Sequence, residues 1–166
     1  MKIRSVQANN RKKAFEVKAG TKTWWYPYAR LDAGPTAGDP IVAVEIDQEL
    51  GREAVTYTLK SGAEGSVHVD QVLDYNKDPG YLRDMLLYEL TLEAQRRVSA
   101  SPLRTRELIR RLGTSASQYY RLLDQTCTRK SVDQLLRLLC VLECDVELSV
   151  TPSKTFRRRQ AAAQPA

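Results

Sequence analysis

The sequence predicts an α+β protein, with a small antiparallel β domain followed by an all-α domain of four to five helices and a closing C-terminal strand. Three observations carry that expectation. Apolar residues alternate with period two through the first half, the period lengthens to that of a helix near Asp78-Pro79-Gly80, and the excess positive charge lies beyond that point. Residues 1–80 hold 11 Lys+Arg against 11 Asp+Glu, whereas residues 81–166 hold 15 against 9 and so carry the whole net charge of +6. Such an asymmetry suggests that the second half meets a polyanion. Three segments follow: a β-rich region over 1–78, a helical region over 79–151, and a basic tail over 152–166 that is expected to be disordered.

In the β-rich region, Phe15 and Val17 begin the alternation. Val42, Val44 and Ile46 continue it, then Val55, Tyr57 and Leu59, then Val67 and Val69 on either side of His68. One packed face and one wet face is the pattern of antiparallel strands. Turn signals at Ala19-Gly20-Thr21, Asp32 through Pro40, and Ser61-Gly62 with Gly65 separate about five strands in a small sheet or partial barrel. Trp24-Trp25-Tyr26-Pro27-Tyr28 reads as sheet core with one strand edge stiffened by Pro27, or alternatively as a partner-binding surface. His68 reads as a surface or cross-strand residue.

In the helical region, Leu82, Leu86, Leu90, Ala94 and Val98 fall at successive i+4 steps, as one stripe of a long helix that stops near Ser101-Pro102. Three shorter helices follow. The first, about Arg104 to Leu112, sets Leu108, Ile109 and Leu112 inward and ends at Gly113, a left-handed cap. The second, about Ala116 to Leu123, opens at Ser115, whose spacing to Gln118 matches a capping box. The third starts at Ser131, with Gln134 in the same relation, and buries Val132, Leu135, Leu136, Leu139 and Leu142. Val146, Leu148 and Val150 then alternate as the closing strand, which joins either the chain's own sheet or its copy across a two-fold axis.

Several function classes are disfavoured. No apolar run approaches the length needed to span a bilayer, and the polar N-terminus lacks a signal peptide's apolar core, so a cytoplasmic protein with no membrane partner is expected. Cys127, Cys140, Cys144 and His68 lack the paired spacing of zinc sites, so packing is expected of the cysteines and no metal. One histidine and no glycine-flanked serine supply neither a catalytic triad nor a nucleotide loop. No catalytic residue and no cofactor is expected, and the chain does not read as an enzyme.

The run Leu103 to Leu123, with Leu108, Leu112, Gly113, Ser115, Tyr119 and Leu122 at helix-packing and turn positions, resembles the helix-turn-helix of the Cro/C1-type (XRE) family. The likeness covers roughly residues 82–145. It implies a transcriptional regulator, repressor or antitoxin-like, that binds double-stranded DNA with a recognition helix over about 116–123. Ala116, Ser117, Tyr120 and Arg121 would face the major groove. Ser115 and Gln118 would meet phosphates, as would Thr128, Arg129 and Lys130 in the following loop, while Tyr119 would be buried. Arg121 has the fork geometry for guanine O6 and N7. Arg104, Arg106, Arg110 and Arg111 are further candidates for phosphate contact. Two residues depart from the family pattern: Ile109 stands where a small residue is usual, and Gln125 where a glycine often closes the recognition helix. The resemblance implies a homodimer reading two half-sites. The first half is similar in pattern, mainly around Val67–Tyr75, to small DUF2442-like β domains. In an antitoxin it would bind the toxin. The alternative is a protein-interaction scaffold whose helical half does not bind DNA.

Overall fold

A computed structural model describes residues 1–151; the basic tail over 152–166 lies outside the described residues. The protein is α+β, and the chain forms two compact units that divide between Leu86 and Leu87, inside a long helix. The period change near Asp78 marks the start of that helix.

The first unit carries two three-stranded antiparallel meanders. β1 (Ile3–Asn9), β2 (Ala14–Ala19) and β3 (Lys22–Pro27) form one in the order β1-β2-β3. β4 (Ile41–Ile46), β5 (Ala54–Leu59) and β6 (Glu64–His68) form the other in the order β4-β5-β6. The central strands are the most buried, as two paired neighbours require. Phe15 and Val17 on β2 and Val55, Tyr57 and Leu59 on β5 enter a core shared with Ile3, Tyr26 and Tyr28. Tyr57 passes over Gly65 on the neighbouring strand, where an added Cβ would lie 2.3 Å from its hydroxyl. Glycine is the residue that lets the ring lie there.

A helix unforeseen from the sequence, α1 (Val69–Tyr75), follows β6 directly. His68 is its N-cap: Nδ1 accepts from Asp70 N–H and Gln71 Oε1 accepts from His68 N–H, a complete capping box. Val69, Val72 and Leu73 therefore continue the apolar sequence with helical rather than alternating spacing, and all three are buried. Trp24 and Trp25 on β3 are half-buried, with the Lys22 ammonium 5.2 Å from the Trp24 ring and that of Lys12 3.8 Å from the Trp25 ring.

α2 (Pro79–Ala100) starts at Pro79, where a proline's missing N–H costs nothing. Asp78 precedes it, accepting from Tyr81 N–H at 3.1 Å and from the Lys22 ammonium at 2.9 Å. Those two donors hold its carboxyl below the usual aspartate range, Lys22 contributing most. The expected Leu82-to-Val98 stripe holds only in its second half, where Ala94 is buried and Leu90 and Val98 pack against the same core. Leu82 and Leu86 are exposed, and the buried set is Leu87, Thr91 and Ala94. Each i+4 step advances about 40° beyond a full turn, so four of them wind away from any one face.

The second unit continues with α3 (Thr105–Leu112), α4 (Ala116–Leu122) and α5 (Val132–Val141). Leu108, Tyr119, Leu122, Leu135, Leu138 and Leu139 pack with Leu87 and Ala94 into its core. No strand closes it. Val146, Leu148 and Val150 are exposed, the last two at 83%, and residues 145–151 pair with neither sheet. Alternation makes a strand only where an edge offers hydrogen bonds, and neither sheet of this chain supplies one to that segment. Cys140 is likewise exposed rather than packed, because 135, 138 and 139 take the inward face of α5.

Candidate nucleic-acid interface

α3 and α4 are joined by Gly113, Thr114 and Ser115. Gly113 adopts φ 65°, ψ 36°, the left-handed conformation that reverses the chain after Leu112 and favours a residue without Cβ. Ser115, in extended conformation, then caps α4 by accepting Gln118 N–H on Oγ at 3.2 Å. Ser131 does the same for α5 through Gln134 N–H. In both, the serine's half of the box is formed. The Gln118 side chain stays exposed beside the turn.

α4 is sharply two-sided. Tyr119 and Leu122 are buried at 1% and 3%, as expected of Tyr119, while Ala116, Ser117, Tyr120 and Arg121 are all exposed. Positions i, i+1, i+4 and i+5 share one helical face, so the four expected groove-facing residues lie together. Tyr120, 63% exposed, stands edge-on to Tyr119 with centroids 5.6 Å apart. The buried Tyr119 hydroxyl has no hydrogen-bond partner among the described residues, and burial raises its pKa above the usual tyrosine value.

The expected phosphate-facing residues divide. Ser115, Gln118, Thr128 and Arg129 are exposed. Lys130 is turned inward: its ammonium donates to Leu122 O at 3.0 Å and to Asp124 O, and burial lowers its pKa. The arginines of α3 divide as well. Arg110 and Arg111 both clasp Glu107, at 2.6 and 2.8 Å, and hold its carboxyl down to about 2, Arg110 contributing most. Arg106 is exposed. The described ion pairs of this unit lie within α2, α3 and α5, and none involves Arg121 or Arg129.

Sequence reasoning missed Gln95. From α2 its Nε2 donates to Leu123 O at 2.7 Å, and its Oε1 accepts from Gln125 Nε2 at 2.9 Å. A polar residue one position past buried Ala94 was the one available signal. Ile109, which stands where the family pattern has a small residue, is half-buried against the core. Comparison of the chain with protein-family models, curated proteins and solved structures gives no match.

Proposed function

We propose that the protein is a sequence-specific, double-stranded-DNA-binding transcriptional regulator that reads the major groove with α4 and is not an enzyme. One observation carries the reading: Ala116, Ser117, Tyr120 and Arg121 form a single exposed face on a helix anchored by Tyr119 and Leu122 and capped at its start by Ser115. Two short residues let such a helix approach base edges closely. Arg121 offers two parallel donors to guanine, and Ala116 an apolar contact for a thymine methyl. Arg129 and Thr128 lie in the next loop, suited to phosphate, while Ser115 and Gln118 flank the helix start. Arg110 and Arg111 contribute less than their charge suggests, since Glu107 holds both.

One unit of this size binds weakly, so the active form is a homodimer on two half-sites. It works in the cytoplasm as a repressor or as the antitoxin of a toxin–antitoxin pair. In the second setting the β unit takes the toxin, a role supported by the half-buried Trp24 and Trp25 with their lysines. Co-purification of a small partner protein separates the two.

The test is duplex binding across a salt series. Arg121→Ala is expected to lose about 1–3 kcal/mol of discrimination at one base pair. Arg129→Ala, which removes one phosphate contact from each protomer of the dimer, is expected to make the slope of log affinity against log salt shallower by about 1.8. If the protein retards no duplex even at low salt, the reading fails and a protein-interaction scaffold replaces it.

A further inference from the structure

The C-terminal end of α4 lacks the glycine that ordinarily reverses a helix. Leu123 is right-handed, with φ −88° and ψ −2°, so the chain runs on without a left-handed cap. The last carbonyls of a helix have no partner within it and need one elsewhere. Here three consecutive carbonyls are met by two side chains from outside the helix. Gln95 on α2 donates to Leu123 O, and Lys130, just before α5, donates to Leu122 O and Asp124 O. A cation at this end also opposes the negative pole of the helix dipole. Gln125 then bonds the back of Gln95, so the residue standing in glycine's expected place is part of the clamp.

We infer that Lys130 and Gln95 are positioning residues, which fix the C-terminal turn of α4 and thereby the aim of Arg121, and that Lys130 is not a phosphate ligand. This rests on the DNA-binding reading. Arg121 is on the last turn of the helix, one residue before the first clamped carbonyl. Freeing that turn lets it fray, and a bidentate contact to one base tolerates little misalignment. Two of the three ammonium protons of Lys130 are committed to the clamp, and partial burial has already displaced water from them. A phosphate contact requires the opposite, a solvated cation aimed outward.

The full-length protein tests this in two arms, with Lys130→Met, Lys130→Arg and Gln95→Met. Amide hydrogen exchange reads the clamp without DNA. Residues 122–127 are expected to exchange about tenfold faster in Lys130→Met and Gln95→Met, and to recover protection in Lys130→Arg, whose guanidinium can donate to both carbonyls. Unchanged exchange would overturn the clamp. Duplex binding reads the consequence. Both Met variants are expected to lose about tenfold for a selected duplex, with the salt slope unchanged and affinity for random duplex nearly so. A salt slope shallower by about 1.8 for Lys130→Met, one contact from each protomer, with equal losses on selected and random duplex, would make Lys130 a phosphate ligand and overturn the inference. If the wild-type protein binds no duplex, the DNA-binding reading and Lys130's part in it fall together, while the exchange arm still decides the clamp.

Discussion

The two units bury their side chains in different ways. The β unit builds its core from aromatic and β-branched residues, with Phe15 and Tyr57 held between cross-strand neighbours on both sides and Tyr26 and Tyr28 packed beside them. Among the described residues the helical unit relies on leucines, with Tyr119 as its one buried aromatic. Their surfaces differ as well, since the first eighty residues are charge-balanced and the excess of arginine and lysine belongs to the rest. A sheet fixes its side chains through register, so shape at each position matters. A small helical core is fixed by the volume it fills, and its outward faces are left free of packing demands.

That contrast can be broken by substitution. The largest effect is expected from Leu135→Ala, which empties a fully buried position in the leucine core and should cost about 3 kcal/mol by urea denaturation. A cost under about 1 kcal/mol would mean that the helical core closes over the gap and is less volume-determined than described. Gly65→Ala comes next, at about 2 kcal/mol, because the new methyl meets a Tyr57 ring that is 1% exposed and tethered to Ala33 O at 3.0 Å. Tyr57→Phe in the same background should recover part of that loss, since it removes the nearest atom.

A smaller change of opposite sign is expected in the helical core. Tyr119→Phe deletes a buried hydroxyl without a partner and should leave stability unchanged or raise it by up to about 1 kcal/mol. A clear loss in thermal unfolding would show that the hydroxyl is satisfied in solution. The smallest effect concerns acid. Glu107 titrates at about 2 rather than 4.5 because Arg110 and then Arg111 donate to its carboxylate. Its contribution is complete above about pH 4.5 and is lost as pH falls toward 2. The β unit has its counterpart in Asp78, lowered by Lys22 and the Tyr81 amide, so acid removes stabilisation from both units. A carboxyl titration by NMR should show Glu107 returning to the ordinary range in Arg110→Gln with Arg111→Gln.

Legibility in the sequence followed the range of the interactions. Local signals read correctly: the Gly113 cap, the serines opening α4 and α5, buried Tyr119, and the alternation of β2 and β5; on β4 a register irregularity between Ile41 and Ala43 buries Ile41 and leaves Val42 exposed. α1 was hidden because Val67 and Val69 are spaced as in a strand, although the chain changes geometry at His68 between them. Gln71 three residues on was the available clue, but histidine is an uncommon cap. The terminal alternation at 146–150 forms no strand within the single chain for the converse reason, since a strand is defined by its partner, and of its two expected partners only the copy across a two-fold axis is left. Within the candidate interface the exposed face of α4 is the one that the family resemblance implies, and Ala116, Ser117, Tyr120 and Arg121 all lie on it. The clamp was not legible, because Gln95 and Leu123 meet across 28 residues and the polar Gln95 beside buried Ala94 is the one local mark.

The exposed Cys140 has a practical consequence at the bench. A thiol on the outer face of α5 meets the same thiol of other molecules as soon as reductant is withdrawn, and partly exposed Cys127 and Cys144 can join the exchange. Protein kept in air is expected to accumulate disulfide-linked pairs that run at twice the mass on a non-reducing gel. Such pairs would imitate the homodimer invoked for DNA binding, yet arise from storage. Cys140→Ser, kept in reductant, is the form in which the protein should be weighed.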